Sequence, residues 1–141
     1  MTDGEIRLKL VKFERGDDEN GTVPMYAYAI TAADTGDVLG LISLRVGYNE
    51  DIYYSGNIGY YVQEQHRGNR YALRACRLVL DLARRHGMES LIITCNPENL
   101  PSRRTCELLG ARYTETVDLP EDNDMYVNDG ERQKCIFVMD L

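Results

Sequence analysis

The residues best suited to chemistry lie in one stretch, Gln65–Ala72, between an apolar run at Ile58–Val62 and an amphipathic segment. A strand that enters a helix through a glycine-containing turn presents unpaired backbone N–H groups, and the helix dipole adds partial positive charge there. Arg67 and Arg70 add two full charges. The stretch therefore predicts a phosphate-binding turn, although similar turns also occur where nothing binds.

A second group of polar residues opens a later helix. Asn99 is a favourable N-cap and Pro101 suits the first helical turn, which also contains Ser102. The helix is predicted to run to about Leu109 and to end at Gly110. Taken alone, Asn99 and Ser102 are a helix cap and a first-turn residue.

The elements that must position these residues follow from the spacing of apolar side chains. Alternation, turn residues and short apolar runs predict seven strands. They are Ile6–Phe13, Met25–Thr31, Val38–Val46, Ile58–Val62, Leu91–Cys95, Arg112–Val117 and Gln133–Leu141. The segments 14–24, 47–57 and 118–132 are predicted to be polar connections, and the second and third strands to form a hairpin.

A helix is predicted between the fourth and fifth strands. From Tyr71 to His86 apolar residues recur at three- and four-residue steps, and Gly87 can end the helix. Strand, helix and strand at this spacing predict a right-handed crossover between parallel strands. We therefore expect one α/β domain, 1–141, with a mixed sheet.

Composition excludes several classes of protein. The chain has 141 residues, 43% of them hydrophobic, and a formal net charge of −7. Nucleic acid is an improbable partner because a phosphate backbone requires a basic face. No apolar run approaches the length that spans a membrane. We expect a cytoplasmic protein, since the N-terminus lacks the basic and apolar regions of a signal peptide.

The cysteines do not suggest a metal site. Cys76, Cys95, Cys106 and Cys135 are widely spaced, without a C-x-x-C pair and with only two histidines in the chain. That pattern argues against zinc and favours reduced thiols packed in the core.

The two polar groups together carry a family resemblance. A strand followed by Gln65, Gly68 and Ala72 precedes one helix, and Asn99 and Ser102 begin another that ends in Leu-Gly. In this order and spacing the chain resembles the GNAT superfamily of acyl-CoA-dependent N-acetyltransferases. Its second half is similar to the branch that acetylates ribosomal-protein N-termini and small amines.

The resemblance implies a mostly antiparallel sheet of six or seven strands in which the parallel fourth and fifth strands splay apart. Acetyl-CoA would lie in that gap, with its pantetheine arm on the fourth strand. Its pyrophosphate would be held by backbone N–H groups at 67–72. The implied coenzyme-binding residues are Tyr60, Tyr61, Val62, Arg67, Gly68, Asn69, Arg70, Tyr71, Ala72, Asn99 and Ser102.

Acyl transfer to an amine needs a donor to the developing oxyanion, a base and a proton for the departing thiolate. The resemblance assigns the oxyanion to the Val62 N–H. Many members carry a tyrosine acid seven residues after the asparagine, and here that position is Cys106. A thiol with a pKa of about 8.5 could donate a proton, but Cys106 could equally be a buried helix residue.

Other residues remain open for both roles. Tyrosines that could act as the acid are Tyr71, Tyr113 and Tyr126, of which we select Tyr126 with Cys106. No carboxylate occurs in the fourth strand, and any single candidate base is more simply a surface acid. Those candidates are Glu50, Glu64, Glu115 and Asp124.

The chain differs from most members of the family it resembles in two further features that affect access to the site. Relatives usually carry Gly or Ala at the position of Arg70, whose side chain could bind phosphate or narrow the site. The segment 14–24 is too short for the two helices that commonly cover the acceptor. The acceptor side should be open, bordered by an acidic loop at 118–124 and by tyrosines, and it could equally meet a second subunit in a homodimer. The tyrosines are Tyr26, Tyr28, Tyr48, Tyr53 and Tyr54.

The resulting hypothesis is an N-acetyltransferase that moves acetyl from acetyl-CoA to a primary amine, on a small molecule or a protein N-terminus, by direct attack. No metal is expected. The alternatives are a non-catalytic acyl-CoA sensor, suggested by the missing base, and an interaction domain that binds no coenzyme.

Overall fold

The computed structural model describes residues 1–141 and has the mixed α/β architecture that the sequence predicts. The strands are β1 (Ile6–Glu14), β2 (Met25–Ala32), β3 (Val38–Arg45), β4 (Ile58–Val62), β5 (Ser90–Cys95), β6 (Arg112–Asp118) and β7 (Gln133–Asp140). The helices are α1 (Glu50–Ser55), α2 (Tyr71–Arg85), α3 (Leu100–Leu109) and α4 (Asp124–Asp129). A 3-10 turn at Glu64–His66 precedes α2.

The strands form two antiparallel sheets rather than one continuous sheet. The first has the order β1-β2-β3-β4 and the second the order β5-β7-β6. The expected parallel pairing of β4 with β5 forms no ladder. Hydrogen bonds instead join Asn57, the residue before β4, to Ile92 of β5: the Asn57 N–H donates to the Ile92 carbonyl at 2.7 Å, and Asn57 Oδ1 accepts the Ile92 N–H at 2.8 Å.

One contiguous apolar core joins the sheets to α2 and α3. The buried stripe of α2 includes Leu73, Cys76, Val79 and Ala83, which recur at helical spacing and face the first sheet. In β5, Leu91, Ile93 and Cys95 are buried, while Ile92 and Thr94 between them are half-buried. One face of β5 is therefore buried more deeply than the other.

Two short helices lie in segments predicted to be polar connections. Helix α1 occurs within 47–57 and α4 within 118–132. Asn49 and Asn123 cap them, each accepting a hydrogen bond from the first turn. Asparagine before acidic residues was a usable signal, but six residues are too few for a helical period to show.

The face of the first sheet opposite α2 is not covered by a helix from 14–24. That segment forms a turn closed by a bridge between Asp17 and Thr22. The five tyrosines expected around the acceptor are divided: Tyr26 packs on His86 at the end of α2, whereas Tyr53 and Tyr54 lie on α1. None of the four helices combines the length and hydropathy needed to cross a membrane.

Candidate active site

A gap separates β4 from β5, and the β3–β4 ladder determines which backbone groups line it. The Gln63 N–H donates to Leu39 O, and the Arg45 N–H donates to Asn57 O, both at 2.8 Å. In an antiparallel ladder such bonds recur at every second residue, so the backbone of Tyr61 is directed to β3. The backbone groups of the intervening residues 58, 60 and 62 are therefore directed away from β3.

Asn57 lies at the closed end of the gap and forms hydrogen bonds to both neighbouring strands. It is 3% exposed, and its Oδ1 accepts from the Ile92 N–H at 2.8 Å while its own N–H donates to the Ile92 carbonyl. Its Nδ2 donates to the carbonyls of Arg45 (3.0 Å) and Gly47 (2.8 Å). One side chain thus fixes the start of β4 to both β3 and β5. No local sequence pattern predicts this role for Asn57.

The turn before α2 contains a run of backbone N–H groups, residues 68–73, that donate to no acceptor in the protein. The run ends where the Arg74 N–H donates to Arg70 O at 3.0 Å. Arg70 is the N-cap residue, and its side chain makes no capping bond. Open donors at a helix N-terminus form an anion site.

The backbone of this turn is unusual at Gly68 and Arg70. Both have left-handed conformations, with φ of 88° and 61°, and Arg70 is the only non-glycine residue with positive φ. That conformation costs a residue with a Cβ roughly 1 kcal/mol. Glycine adopts this left-handed conformation without that cost, so the strain gives a physical reason why glycine is favoured over arginine at this position.

Side chains on either side of the turn stabilise it. The Arg67 Nε donates to Val62 O at 3.0 Å, and its guanidinium lies 5.7 Å from the centre of the Tyr61 ring. The Asn69 Nδ2 donates to His66 O at 3.1 Å. Arg67 therefore occupies the Val62 carbonyl, whereas the register of β3 and β4 directs the Val62 N–H away from β3.

A groove of about 420 Å³ continues from Arg70 along α2 and contains two further arginines. Arg74 is ion-paired with Asp3 at 3.0 Å and with Glu5 at 3.3 Å. Arg77 lines the same groove and, like Arg70, forms no ion pair. Two unpaired cations, Arg70 at the N-cap and Arg77 on α2, favour an anionic ligand.

The two sequence motifs meet at one hydrogen bond. The Tyr60 hydroxyl of β4 lies 2.9 Å from Ser102 Oγ on α3. Burial raises the pKa of Tyr60 to about 12, more than the bond to Ser102 lowers it. Asn99 caps α3 by accepting the Ser102 N–H at 3.2 Å. Residues forty-two positions apart are thus joined beside the gap.

A protein-family model identifies the family to which this chain belongs. Residues 2–112 match the model described as an acetyltransferase (GNAT) domain. The chain belongs to the GNAT acetyltransferase family.

Solved structures agree on the GNAT fold at low sequence identity. A GNAT-family acetyltransferase from Bacillus anthracis is 19% identical, with a TM-score of 0.65, over 81% of this chain and 65% of that one. The microcin C7 self-immunity acetyltransferase MccE, solved with acetyl-CoA and AMP, is 16% identical with a TM-score of 0.65, over 89% and 64%.

A third structure is an acetyltransferase from Salmonella typhimurium that modifies the N-terminal serine of a 50S ribosomal subunit protein. It is 18% identical with a TM-score of 0.64, over 87% of this chain and 66% of that one. The chain spans just under two thirds of the length of these three structures. No curated protein sequence matches it.

Within this GNAT domain the two candidate proton donors differ in accessibility. Cys106 is 0% exposed, and burial is the main reason that its pKa rises to about 12. Tyr126 lies half-buried on α4, with the Arg132 guanidinium 4.0 Å from its ring centre. The Tyr126 hydroxyl makes no hydrogen bond to Tyr60 or Ser102. The burial of Cys106 favours the core role that the sequence left open.

A polar cluster that no sequence motif predicts lies past the end of β5. The Asn96 Nδ2 donates to Glu131 Oε1 at 3.0 Å, and Lys134, 7% exposed, places its ammonium 2.7 Å from Glu131 Oε2. Burial raises the pKa of Glu131, but its hydrogen bonds to Lys134 and Asn96 outweigh that effect and lower it. Among the candidate bases, Glu115 accepts a hydrogen bond from the Tyr53 hydroxyl.

Proposed function

We propose that the chain transfers an acetyl group from acetyl-CoA to a primary amine by direct attack. Two features together support this proposal. One is the gap beside β4, which hydrogen bonds between Asn57 and Ile92 close at one end, and the other is the set of backbone N–H groups at residues 68–73 that have no acceptor in the protein. An extended chain ending in phosphates suits both features, and membership of the GNAT acetyltransferase family supports acetyl-CoA as that chain.

The residues present suit acetyl-CoA. Backbone N–H groups at Gly68–Ala72 would hold the pyrophosphate, with charge from Arg70. The backbone groups of Tyr60, which are directed away from β3, would bind the amide groups of pantetheine, whereas those of Tyr61 are directed to β3 and the Val62 carbonyl is occupied by Arg67. Asn99 and Ser102 would border the other side of the gap.

In the reaction the amine nitrogen forms a bond to the thioester carbonyl carbon as the carbon–sulfur bond breaks. The sulfur leaves with its electron pair and gains a proton, and the attacking nitrogen loses one. The Val62 N–H is free to donate to the carbonyl oxygen as negative charge develops there. Tyr126 is the more accessible of the two proposed proton donors, because Cys106 has no exposed surface.

The sensor alternative keeps the same coenzyme site without turnover. It is favoured by the burial of Cys106 and by the absence of a carboxylate in β4. Release of CoA thiol in the presence of an amine panel separates the two functions, since a sensor binds acetyl-CoA and releases none. A cytoplasmic location and a homodimer remain predictions.

The direct test is calorimetric titration with acetyl-CoA of the wild type, Gly68→Asp and Gly68→Asn. A Cβ added at Gly68 meets no atom within 4 Å, so both variants fit and share the same backbone strain. Only the aspartate places negative charge against the pyrophosphate. We expect a wild-type Kd near micromolar, about −8 kcal/mol.

The asparagine variant should bind within about fivefold of the wild type, and the aspartate variant at least about thirtyfold more weakly. Equal losses in both variants would mean that backbone strain, not charge, controls binding. No binding by a folded wild type would exclude both the enzyme and the sensor.

A further inference from the structure

The second half of β1 forms an open edge of the first sheet. β1 pairs with β2 on one side only. On its other side the Leu8 N–H donates to Met1 O at 2.9 Å and the Asp3 N–H donates to Ile6 O at 3.3 Å, so the N-terminal residues cover the first half. No backbone group covers β1 beyond Leu8 on that side. We refer to residues 9–14 as the open edge.

The open edge exposes three large apolar side chains. Leu10, Val11 and Phe13 are 56%, 58% and 46% exposed, whereas Ile6 and Leu8 in the covered half are buried. An unpaired strand edge with exposed apolar residues readily accepts another strand. The composition of the open edge therefore indicates a surface that pairs with a further strand.

The ladder between β1 and β2 determines which backbone groups of the open edge are free. The Ala33 N–H donates to Glu5 O at 2.9 Å, and such bonds recur at every second residue. Residues 5, 7 and 9 are therefore directed to β2, and the backbone of Leu10 is directed outward.

A bulge at Val11 shifts this alternation by one residue. On the other side of β2 the Val46 N–H donates to Pro24 O at 2.8 Å, so the even-numbered residues in this part of β2 are directed to β3. Phe13 pairs with Tyr26, one of those residues. The backbone of Phe13 is therefore directed outward, like that of Leu10.

Two copies of the open edge are complementary when they run antiparallel about a two-fold axis. Leu10 of one copy then lies opposite Phe13 of the other, which matches the two outward-directed positions, and the symmetry repeats the match. In the same register Lys9 lies opposite Glu14 of the second copy. No other antiparallel register matches both outward positions.

The paired side chains also share a face of the sheet. Leu10 and Phe13 lie on the face that packs against α2, because they pair with Tyr28 and with Tyr26, whose ring contacts His86. Lys9 and Glu14 lie on the opposite face. Each copy thus brings apolar residues to apolar residues and a cation to an anion.

We propose that the open edges of two copies pair in this way and join the two four-stranded sheets into one continuous sheet. The inference goes beyond acetyl transfer and does not depend on it. β1 is the edge of the sheet farthest from β4, so the pairing leaves the gap accessible.

The lysines of the open edge argue for a second copy rather than an unrelated strand. Lysine on a strand edge discourages pairing unless the facing strand supplies an acid. Lys12 has Glu14 of its own chain at 2.8 Å, whereas Lys9 forms no ion pair. A second copy supplies that acid twice, once on each side of the axis.

The test is sedimentation velocity of the full chain without coenzyme, so its result is independent of acetyl-CoA titrations. The interface is short, with about four backbone hydrogen bonds between the copies, and we expect a Kd of roughly 10–100 µM. Concentrations from about 5 to 500 µM span the transition from monomer to dimer. A monomer at every concentration would overturn the proposal.

Charge reversal tests the register. Lys9→Glu and Glu14→Lys each place like charges opposite one another and should raise the Kd at least about tenfold. The double variant restores opposite charges and should return to within about threefold of the wild type. Arg104→Glu on the exposed surface of α3 is the control, since it changes the net charge as much as Lys9→Glu does.

That control should dimerise within about twofold of the wild type. Equal Kd values for the wild type and both single variants would place any dimer interface elsewhere and overturn the proposal. A double variant as weak as the single variants would contradict the register.

Leu10→Pro tests the backbone pairing itself. Proline removes an outward-directed N–H and leaves the bonds to β2 in place, as is tolerated on an edge strand. We expect no dimer up to about 500 µM, with the fold verified by circular dichroism. A folded Leu10→Pro that dimerises like the wild type would exclude pairing through this edge, and the surface charge variants decide the question if Leu10→Pro does not fold.

Discussion

Burial determines what individual side chains near the gap can do. Tyr60 and Cys106 both carry protons that could be donated, but burial raises the pKa of each to about 12. Cys106 has no exposed surface, and the Tyr60 hydroxyl is engaged with Ser102. Both groups stay protonated at neutral pH, yet only a group that touches the leaving thiolate can supply its proton.

The burial of the Cys106 thiol predicts the behaviour of Cys106→Ala. Removing a fully buried sulfur should lower the free energy of unfolding by roughly 1–2 kcal/mol. The turnover number should change by less than about threefold, because the thiol does not contact substrate. Urea unfolding and steady-state kinetics on the same preparation measure the two quantities.

Tyr126→Phe is the companion variant for the proton-donor role. Loss of a general acid typically costs about 100-fold or more in rate. A loss of that size in Cys106→Ala, with none in Tyr126→Phe, would reverse our preference and make the thiol the acid.

At the scale of secondary-structure elements, the gap depends on how two strands diverge. Two edge strands that begin together would ordinarily continue pairing, because unpaired edges invite hydrogen bonding. Here β4 and β5 are joined at Asn57 and Ile92 and form no ladder beyond that point. Asn57 therefore sets where the gap closes.

Asn57→Asp tests this positioning role. An aspartate keeps the acceptor for the Ile92 N–H but replaces two donors with an oxygen that faces the carbonyls of Arg45 and Gly47. We expect a loss of stability of roughly 3 kcal/mol, since two buried carbonyls lose partners. We also expect acetyl-CoA to bind at least about tenfold more weakly, because the gap loses its fixed width.

Asn123→Asp is the matched control for that variant. The substitution is the same, but Asn123 caps α4 through an oxygen that aspartate retains. It should leave both stability and acetyl-CoA affinity nearly unchanged. A destabilised Asn57→Asp that binds acetyl-CoA normally would show that Asn57 has only a structural role.

At the scale of the whole molecule, local patterns predicted the elements better than their association. The bounds of β4 and α2 and the caps of α3 follow from periodicity and capping residues within a few positions. The division into two sheets cannot be predicted from such local patterns. It depends on where β4 and β5 stop contacting each other, and the residues that do join them, 57 and 92, are far apart in the sequence. Tyr26 and Tyr53 were assigned to one wall although β2 and α1 direct them to different places.

The site shows the same limit. The anion-binding turn was predictable because glycine, arginine and a helix start lie next to one another in the sequence. The left-handed conformation of Arg70 and the open edge of β1 were not, because each depends on backbone angles or on the register of neighbouring strands. The role of Asn57, in the predicted polar connection 47–57, was also not predictable, because it depends on contacts with residues distant in the sequence.

The last prediction concerns how the whole fold responds to acid. The pKa of Glu131 is lowered, and a carboxyl with a lowered pKa contributes stability above its ordinary value of 4.5 and loses it as the pH falls below that value. Glu131→Gln would leave Lys134, 7% exposed, without its ionic partner. At neutral pH we expect Glu131→Gln to lower the free energy of unfolding by roughly 2–3 kcal/mol. This is the lower end for breaking a buried ion pair, because Glu131 is partly exposed.

The difference in unfolding free energy between wild type and Glu131→Gln should shrink as the pH falls through 4.5 toward the lowered pKa, where the wild type also becomes neutral at this site. Urea unfolding at a series of pH values measures it. Glu107→Gln is the control, since Glu107 pairs with Arg104 on the exposed surface of α3 and should matter little at any pH. A difference that stays constant through this range would mean that the Glu131 carboxylate charge does not hold β7 in place.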